Sequence, residues 1–341
     1  LDLALELEDE DELSVEASAV VDDLREARLS ARVEEMTKPS AVRVEAFEFR
    51  ADEDLWRLAH PTRFDLRDGV QIDSARVSAH DQEIRARGRL AAQGPLDLRV
   101  GVKGFELATV ADLLGYPALT GQLTGSLGFT GTGSNPGAVV ELNGYLEPPS
   151  APPGKVTFRG ELVEGVLEFD GGIELENGSS SRARGSIPLA ASFAEGTTGL
   201  AAGGEVRADI TSDSLSLAWF DPLLGPSMFQ SLGGILSGSI QVTGTPDKPE
   251  LSGSMNVADG SLEVPELGVT LQEGGVWVAL NGDEVSVDSL RVRSGDGTVE
   301  GAGRVTLGRM DRPRFEATIR ANGFKAVSRG DMEATVSGEV D

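Results

Sequence analysis

The chain has no cysteine among its 341 residues, which excludes disulfides, thiolate nucleophiles and thiolate metal sites. Its two histidines, His60 and His80, read as solvated loop and turn residues: His60 precedes Pro61, and His80 falls at a predicted turn. No apolar run approaches the ~20 residues a membrane helix needs, and no signal peptide opens the chain. Aromatics make up 5%, so buried surface has to come from Val, Leu, Ile and Ala. Lys and Arg number 30 against 56 Asp and Glu, a formal charge of −26. That balance lacks the basic patch of a nucleic-acid binder and reads as a source of solubility.

Catalytic signatures are missing as well. Neither G-x-x-x-x-G-K-[ST] nor G-x-S-x-G occurs, and GTGSNPG at 131–137 has the wrong spacing for a dinucleotide fingerprint. The acidic run from Glu8 to Glu12 lacks the glycine turn and ligand register of a calcium loop, and reads as a charged turn. SGDGT at 294–298 reads as a tight turn rather than a setting for catalysis by Asp296. Asn177, Gly178 and Ser179 form a glycosylation sequon with nothing beside it to give it a role. The expectation is a protein that is not an enzyme, with no cofactor and no metal.

What is present is alternation. GVWVAL (275–280) puts Val276, Val278 and Leu280 on one face; EVSVDS (284–289) does the same with Val285 and Val287. RFEATIRA groups Phe315, Ala317 and Ile319 and sends Glu316, Thr318 and Arg320 the other way. Period-two alternation is the mark of strands with one apolar and one polar face. With 43 glycines and 16 prolines as punctuation, the spacing predicts about 30 strands.

The text also repeats. FELATVADLLG starts at Phe105 and LSLAWFDPLLG at Leu215, with a truncated third copy from Phe324. Between these anchors IRARGRL, SRARGSI and VEGAGRV share central glycines Gly88, Gly185 and Gly303. The whole reads as one continuous elongated β domain, residues 1–341, with units of about 1–104, 105–214 and 215–323 and a further one starting at 324–341. One short helix per unit is predicted, over 107–114 and after Asp221, where Asp-Pro suits an N-cap and first helical position. SAPPG at 150–154 is too short for a domain linker. The chain begins and ends in mid-pattern, as a fragment would.

The succession LSGSMNVADGSLEVPELGVTL, GDEVSVDSLRVRSGDGTVEGAGRVTLG and PRFEATIRANGF resembles the TamB family, translocation and assembly module proteins of the wider AsmA-like group. The resemblance is carried by Leu251, Gly253, Gly260, Leu262, Val264, Pro265, Leu267 and Gly268. It continues through Ser294, Gly295, Gly297, Val299, Gly301, Gly303 and Val305. It covers 230–341 strongly and 70–145 more weakly. It implies an all-β fold: an elongated, repetitive, curled β-sheet, taco-like, with an apolar concave groove and one or two short inserted helices. It also implies a periplasmic protein of a Gram-negative envelope, anchored to the inner membrane by a segment outside this chain. Such a protein shields phospholipid acyl chains in its groove and carries them between the two membranes, or supports outer-membrane protein assembly, and the resemblance implies a TamA-type outer-membrane barrel as partner.

The groove candidates are Val257, Leu262, Val264, Val276, Val278, Leu280, Val285, Val287, Val299, Val305, Leu307, Phe315 and Ile319. Pro265 is expected to mark a bulge or sheet edge. The competing readings are a passive β-solenoid, such as an adhesin or autotransporter passenger stalk with a dry, closed core, and a polysaccharide-cleaving β-helix, for which no clustered acidic site is found.

Overall fold

The computed structural model describes the chain except for residues 1, 10, 11, 23, 24, 36–39, 52, 109–119, 202, 224–228, 307–313, 331 and 341. For residues 2–9, 21, 22, 222 and 223 the backbone alone is described. The strands are β1 (Asp2–Asp9), β2 (Glu12–Asp22), β3 (Arg25–Glu34), β4 (Ala41–Ala51), β5 (Asp54–Leu58), β6 (Thr62–Asp65), β7 (Val70–Ala79) and β8 (Gln82–Leu90). They continue with β9 (Asp97–Glu106), β10 (Gly121–Thr132), β11 (Asn135–Leu146), β12 (Gly154–Val163), β13 (Val166–Leu175), β14 (Ser180–Ser192), β15 (Thr197–Leu200) and β16 (Arg207–Ser216). The last are β17 (Gln230–Thr245), β18 (Lys248–Val264), β19 (Val269–Gly282), β20 (Glu284–Ser294), β21 (Gly297–Thr306), β22 (Arg314–Arg329) and β23 (Met332–Val340).

All are antiparallel, and each pairs with its successor in the chain with two exceptions. The short β5 and β6 share the place between β4 and β7. β15 pairs only with the far half of β14, whose near half pairs with β16. Among the described residues the strands therefore form one long meander of 23 strands. Its turns alternate between two margins. The connections at 80–81, 147–153, 176–179, 217–223, 265–268 and 295–296 lie on the first, and those at 91–96, 133–134, 164–165 and 246–247 on the second.

There are fewer strands than the predicted 30, and they are longer: β18 runs 17 residues. Glycine is the reason. Gly88, Gly185 and Gly303, the central glycines of the repeated motif, lie inside β8, β14 and β21 rather than between strands. At each, an added Cβ would run into a carbonyl oxygen of the following main-sheet strand, that of Asp97, Arg207 or Glu316. The motif repeats because the curled sheet brings two backbones close at the same place in each copy. Gly253 adds a left-handed φ of 118° and a Cβ aimed at the Ser239 carbonyl. Gly253→Ala is expected to cost about 1–3 kcal/mol, read as a lower midpoint in urea unfolding.

The sheet rolls toward its apolar side. Leu267, in the β18–β19 turn, accepts a bond from Ser328 N of β22 at 2.8 Å. In a flat sheet those strands lie three to four spacings apart, at least ~14 Å. Ser294, 1% exposed, donates to the Lys325 carbonyl at 2.6 Å in the same fold-over. Pro265 lies in the turn that follows Val264, so it ends β18 rather than bulging it. The bulges of that strand fall between Val257 and Leu262.

Buried side chains gather at the margins. On the first, Leu175, Leu215 and Trp219 form a cluster with Leu146, Val156, Ile173 and Phe220 packed against it. Trp219 lies on a 3-10 helix, Leu217–Leu223, and its Nε1 donates to the Pro152 carbonyl at 3.0 Å. This helix begins four residues before the predicted cap. Asp221 is inside it, and its carboxylate accepts from Leu232 N at 2.8 Å, so it serves the entry to β17 and not a helix start. The helix predicted over 107–114 lies almost wholly outside the described residues. The repeat anchors occupy matching places: Phe105 faces Leu123 and Leu215 faces Leu236, each beside a register shift. Trp56 packs on Phe105 with ring centroids 5.6 Å apart.

Candidate functional site: an open apolar face

Residues directly opposite across neighbouring strands share a face of the sheet, so the register alone traces rows through the molecule. One row runs Val77, Ile84, Val102, Gly125, Leu142, Phe158, Gly171 and Ala183, from β7 to β14. It continues through Ile210, Ile240, Gly253, Leu280, Val285, Val305 and Phe315, to β22. Every member is apolar or glycine. The parallel row Leu215, Leu236, Val257, Val276, Leu290, Gly301, Ile319 and Val340 is the same. Bulges preserve the pattern: the extra residue between Val287 and Ser289 keeps Leu290 on the face of Val285 and Val287.

One residue along, the text inverts. The row Ser126, Glu141, Arg159, Asp170, Arg184, Asp209 and Gln241 lies on the opposite face. Its charges alternate in sign across strands, with Arg159 3.4 Å from Glu141 and Arg184 3.5 Å from Asp209. Exposed pairs of this kind contribute at most about 1 kcal/mol each; they fix register and keep this face in water. Glu83 is the exception in burial, at 8% exposed. It sits between Arg76 and Arg85, which face each other directly. The hydrogen bond from Arg85, with the charge of Arg76, holds its carboxyl below the usual 4.5 against the opposing effect of burial. A folded-state pKa below the unfolded one gives stability that is complete above the unfolded value and fades as pH falls through the folded one. Glu83→Gln is expected to melt at lower temperature than the parent at pH 7, with the difference shrinking toward pH 3 in paired thermal scans.

The register puts the predicted groove residues together. Val257, Leu262, Val264, Val276, Val278, Leu280, Val285, Val287, Val299, Val305, Phe315 and Ile319 share the apolar face. Leu307 lies outside the described residues. The first ten are half-buried, whereas Phe315 is 71% and Ile319 44% exposed. None of the twelve is buried as a core residue would be. The accessible surface says the same of the whole molecule: 20144 Å², against about 13,000 Å² for a compact protein of 35.8 kDa. Among the described residues, strands approach one another mainly as neighbours in the sheet; the exceptions are β14 against β11 and β22 against β19 and β20.

Sequence reasoning located this face only in the last third of the chain. The members Ile84, Val102, Leu142, Phe158, Ile210 and Ile240 extend it to β8, and the signal for them was the same alternation, as in DLRVGV and ADITSD. His80 is exposed and its Nδ1 lies 2.9 Å from Asp54 Oδ1, a surface pair at a turn. No grouping of three or more His, Asp and Glu suited to a metal ion occurs among the described residues. No helix there is long and apolar enough to cross a membrane. No family model, curated protein or solved structure matches the chain.

Proposed function

We propose that this chain is a segment of an envelope protein that holds phospholipid acyl chains against its apolar face and lets them pass along it between two membranes. The unbroken apolar row from Val77 to Phe315 is the observation that carries the reading. A hydrocarbon chain moving from rung to rung keeps each CH₂ out of water, worth ~0.8 kcal/mol apiece, so no rung presents a barrier and no catalytic group is needed. With strands ~4.8 Å apart, fifteen consecutive rungs make a track of roughly 65–70 Å along the sheet. The outer face, with its alternating charges, keeps the carrier soluble in the aqueous space it crosses. The resemblance to TamB proteins supports the same assignment and a periplasmic setting, with a TamA-type barrel as outer-membrane partner.

A passive stalk would bury its apolar face in a dry core. The groove-candidate valines of β18–β21, half-buried and none of them at core burial, favour the carrier over that alternative. The test places a photo-crosslinking amino acid at Val287, on the apolar face, and at Ser286, its neighbour on the other. After illumination in a Gram-negative envelope, covalent phospholipid is expected at Val287 and not at Ser286. Absence of adduct at Val287 in a folded protein would remove the carrier reading.

A further inference from the structure

The second margin carries a segment that the repeat does not account for. From the central glycine to the anchor, 17 residues separate Gly88 from Phe105 and 21 separate Gly303 from Phe324, but 30 separate Gly185 from Leu215. The surplus is the hairpin of the β14 extension and β15, residues 189–200. It leaves the main sheet at Pro188, the last residue of β14 to pair with β13. Leu189 N bonds to the Gly165 carbonyl at 2.7 Å, and from there β14 pairs only with β15.

The hairpin then crosses the apolar face. Phe193 N and Ala194 N donate to the Gly133 carbonyl at 2.6 and 3.1 Å. Gly133 belongs to the β10–β11 turn, three to four strand spacings or at least ~14 Å from β14 in a flat sheet. Phe193 meets Phe129 edge-on, with centroids 5.5 Å apart, and Phe129 belongs to the apolar face, opposite Ala138 and Leu98. The hairpin has a greasy side of its own: Leu189 faces Leu200, and Phe193 falls on the same side by alternation. Yet Phe193 is 38% and Leu200 59% exposed. The contact is a tether of two backbone bonds and one ring pair, with apolar surface left over.

We propose that residues 189–200 form a strap that covers the apolar face over β10–β13 and opens to admit a hydrocarbon chain, making that stretch a closable compartment in an otherwise open track. This rests on the carrier reading. The exposed greasy side of the strap and the apolar rungs beneath it, Val140 and Leu127 among them, would enclose one acyl chain between them when it is shut. An insertion confined to the middle unit is what a single gate requires.

The absence of cysteine makes the test direct. Ser134→Cys with Glu195→Cys, both exposed and adjacent to the bonded pair, allows a short bismaleimide to lock the strap. A photo-crosslinking residue is placed at Val140 in one version and at Val287 in another, and each is mixed with phosphatidylethanolamine–phosphatidylglycerol vesicles. Locking is expected to reduce lipid adduct at Val140 at least fivefold and to leave Val287 unchanged. Equal adduct at Val140 with and without the lock overturns the strap. Hydrogen exchange in the unlocked protein without lipid decides it independently. The Phe193 and Ala194 amides are expected to exchange at least tenfold faster than those of Thr157 and Phe158, and equal protection overturns the strap. No adduct at either site in the unlocked protein counts against the carrier reading, and the exchange measurement still decides whether the strap opens.

Discussion

Trp219→Ala is expected to destabilise the region between β11 and β17 by about 3–5 kcal/mol, the usual cost of truncating a buried tryptophan. The side chain is 6% exposed and closes the cluster of Leu175 and Leu215 on the first margin. Its indole bond to Pro152 spans 67 residues of sequence, and so ties the 147–153 loop to the helix after β16. The loss should be local. Each strand touches mainly its two neighbours, so stability behaves as a sum of neighbour terms rather than as one cooperative core. Hydrogen exchange should accelerate in β12, β13 and β16 and stay unchanged in β20 and β21. Trp219→Phe, which keeps the ring packing and loses the donor, is expected to cost about 1 kcal/mol. Uniform acceleration across all strands in Trp219→Ala would show that the sheet melts as one body.

Ile240→Asp is expected to break the track and leave the sheet intact. Ile240 lies mid-row, opposite Ile210 on one side and Gly253 on the other, and is only half-buried. The carboxylate therefore stays hydrated, and unfolding should shift little. A hydrocarbon chain passing it would lose contact over three or four CH₂ groups, about 3 kcal/mol, or roughly 100-fold in occupancy. Lipid adduct at Val285, farther along the same row, should fall to near background when lipid is supplied from the β7 side. The control is Ser239→Asp, the same charge one residue earlier on the outer face, which should leave adduct formation unchanged.

The fold class was legible because alternation is a local signal: LxVGV-type text dictates a two-faced strand whatever surrounds it. The face shared by Val276, Val278, Leu280, Val285 and Val287 could be read the same way. Strand number could not, because Gly88 or Gly185 looks like punctuation until the neighbouring carbonyl that forbids a side chain is seen. The Asp-Pro at 221–222 also misled. A cap signature describes one hydrogen bond, and Asp221 gives its carboxylate to Leu232 across the loop instead of to its own helix. The strap was invisible for a related reason. TTGL and AASFAEG have weak, ordinary strand text, and only the tertiary bonds to Gly133 show where it goes. Continuity of the apolar rows depends on register over the whole length, including bulges such as the one at Asp288, and no window of sequence contains that information.

The most direct test of an open, one-sided apolar track is a cysteine scan along β17 in this cysteine-free chain. Ser239, Ile240, Gln241 and Val242 are replaced singly by Cys, labelled with a polarity-sensitive fluorophore, and read before and after addition of phospholipid vesicles. The account predicts alternation: the labels at 240 and 242 shift to the blue on adding lipid, and those at 239 and 241 report water throughout. Labels at 240 and 242 that are blue-shifted from the start and indifferent to lipid would mean a closed, dry core and would contradict it.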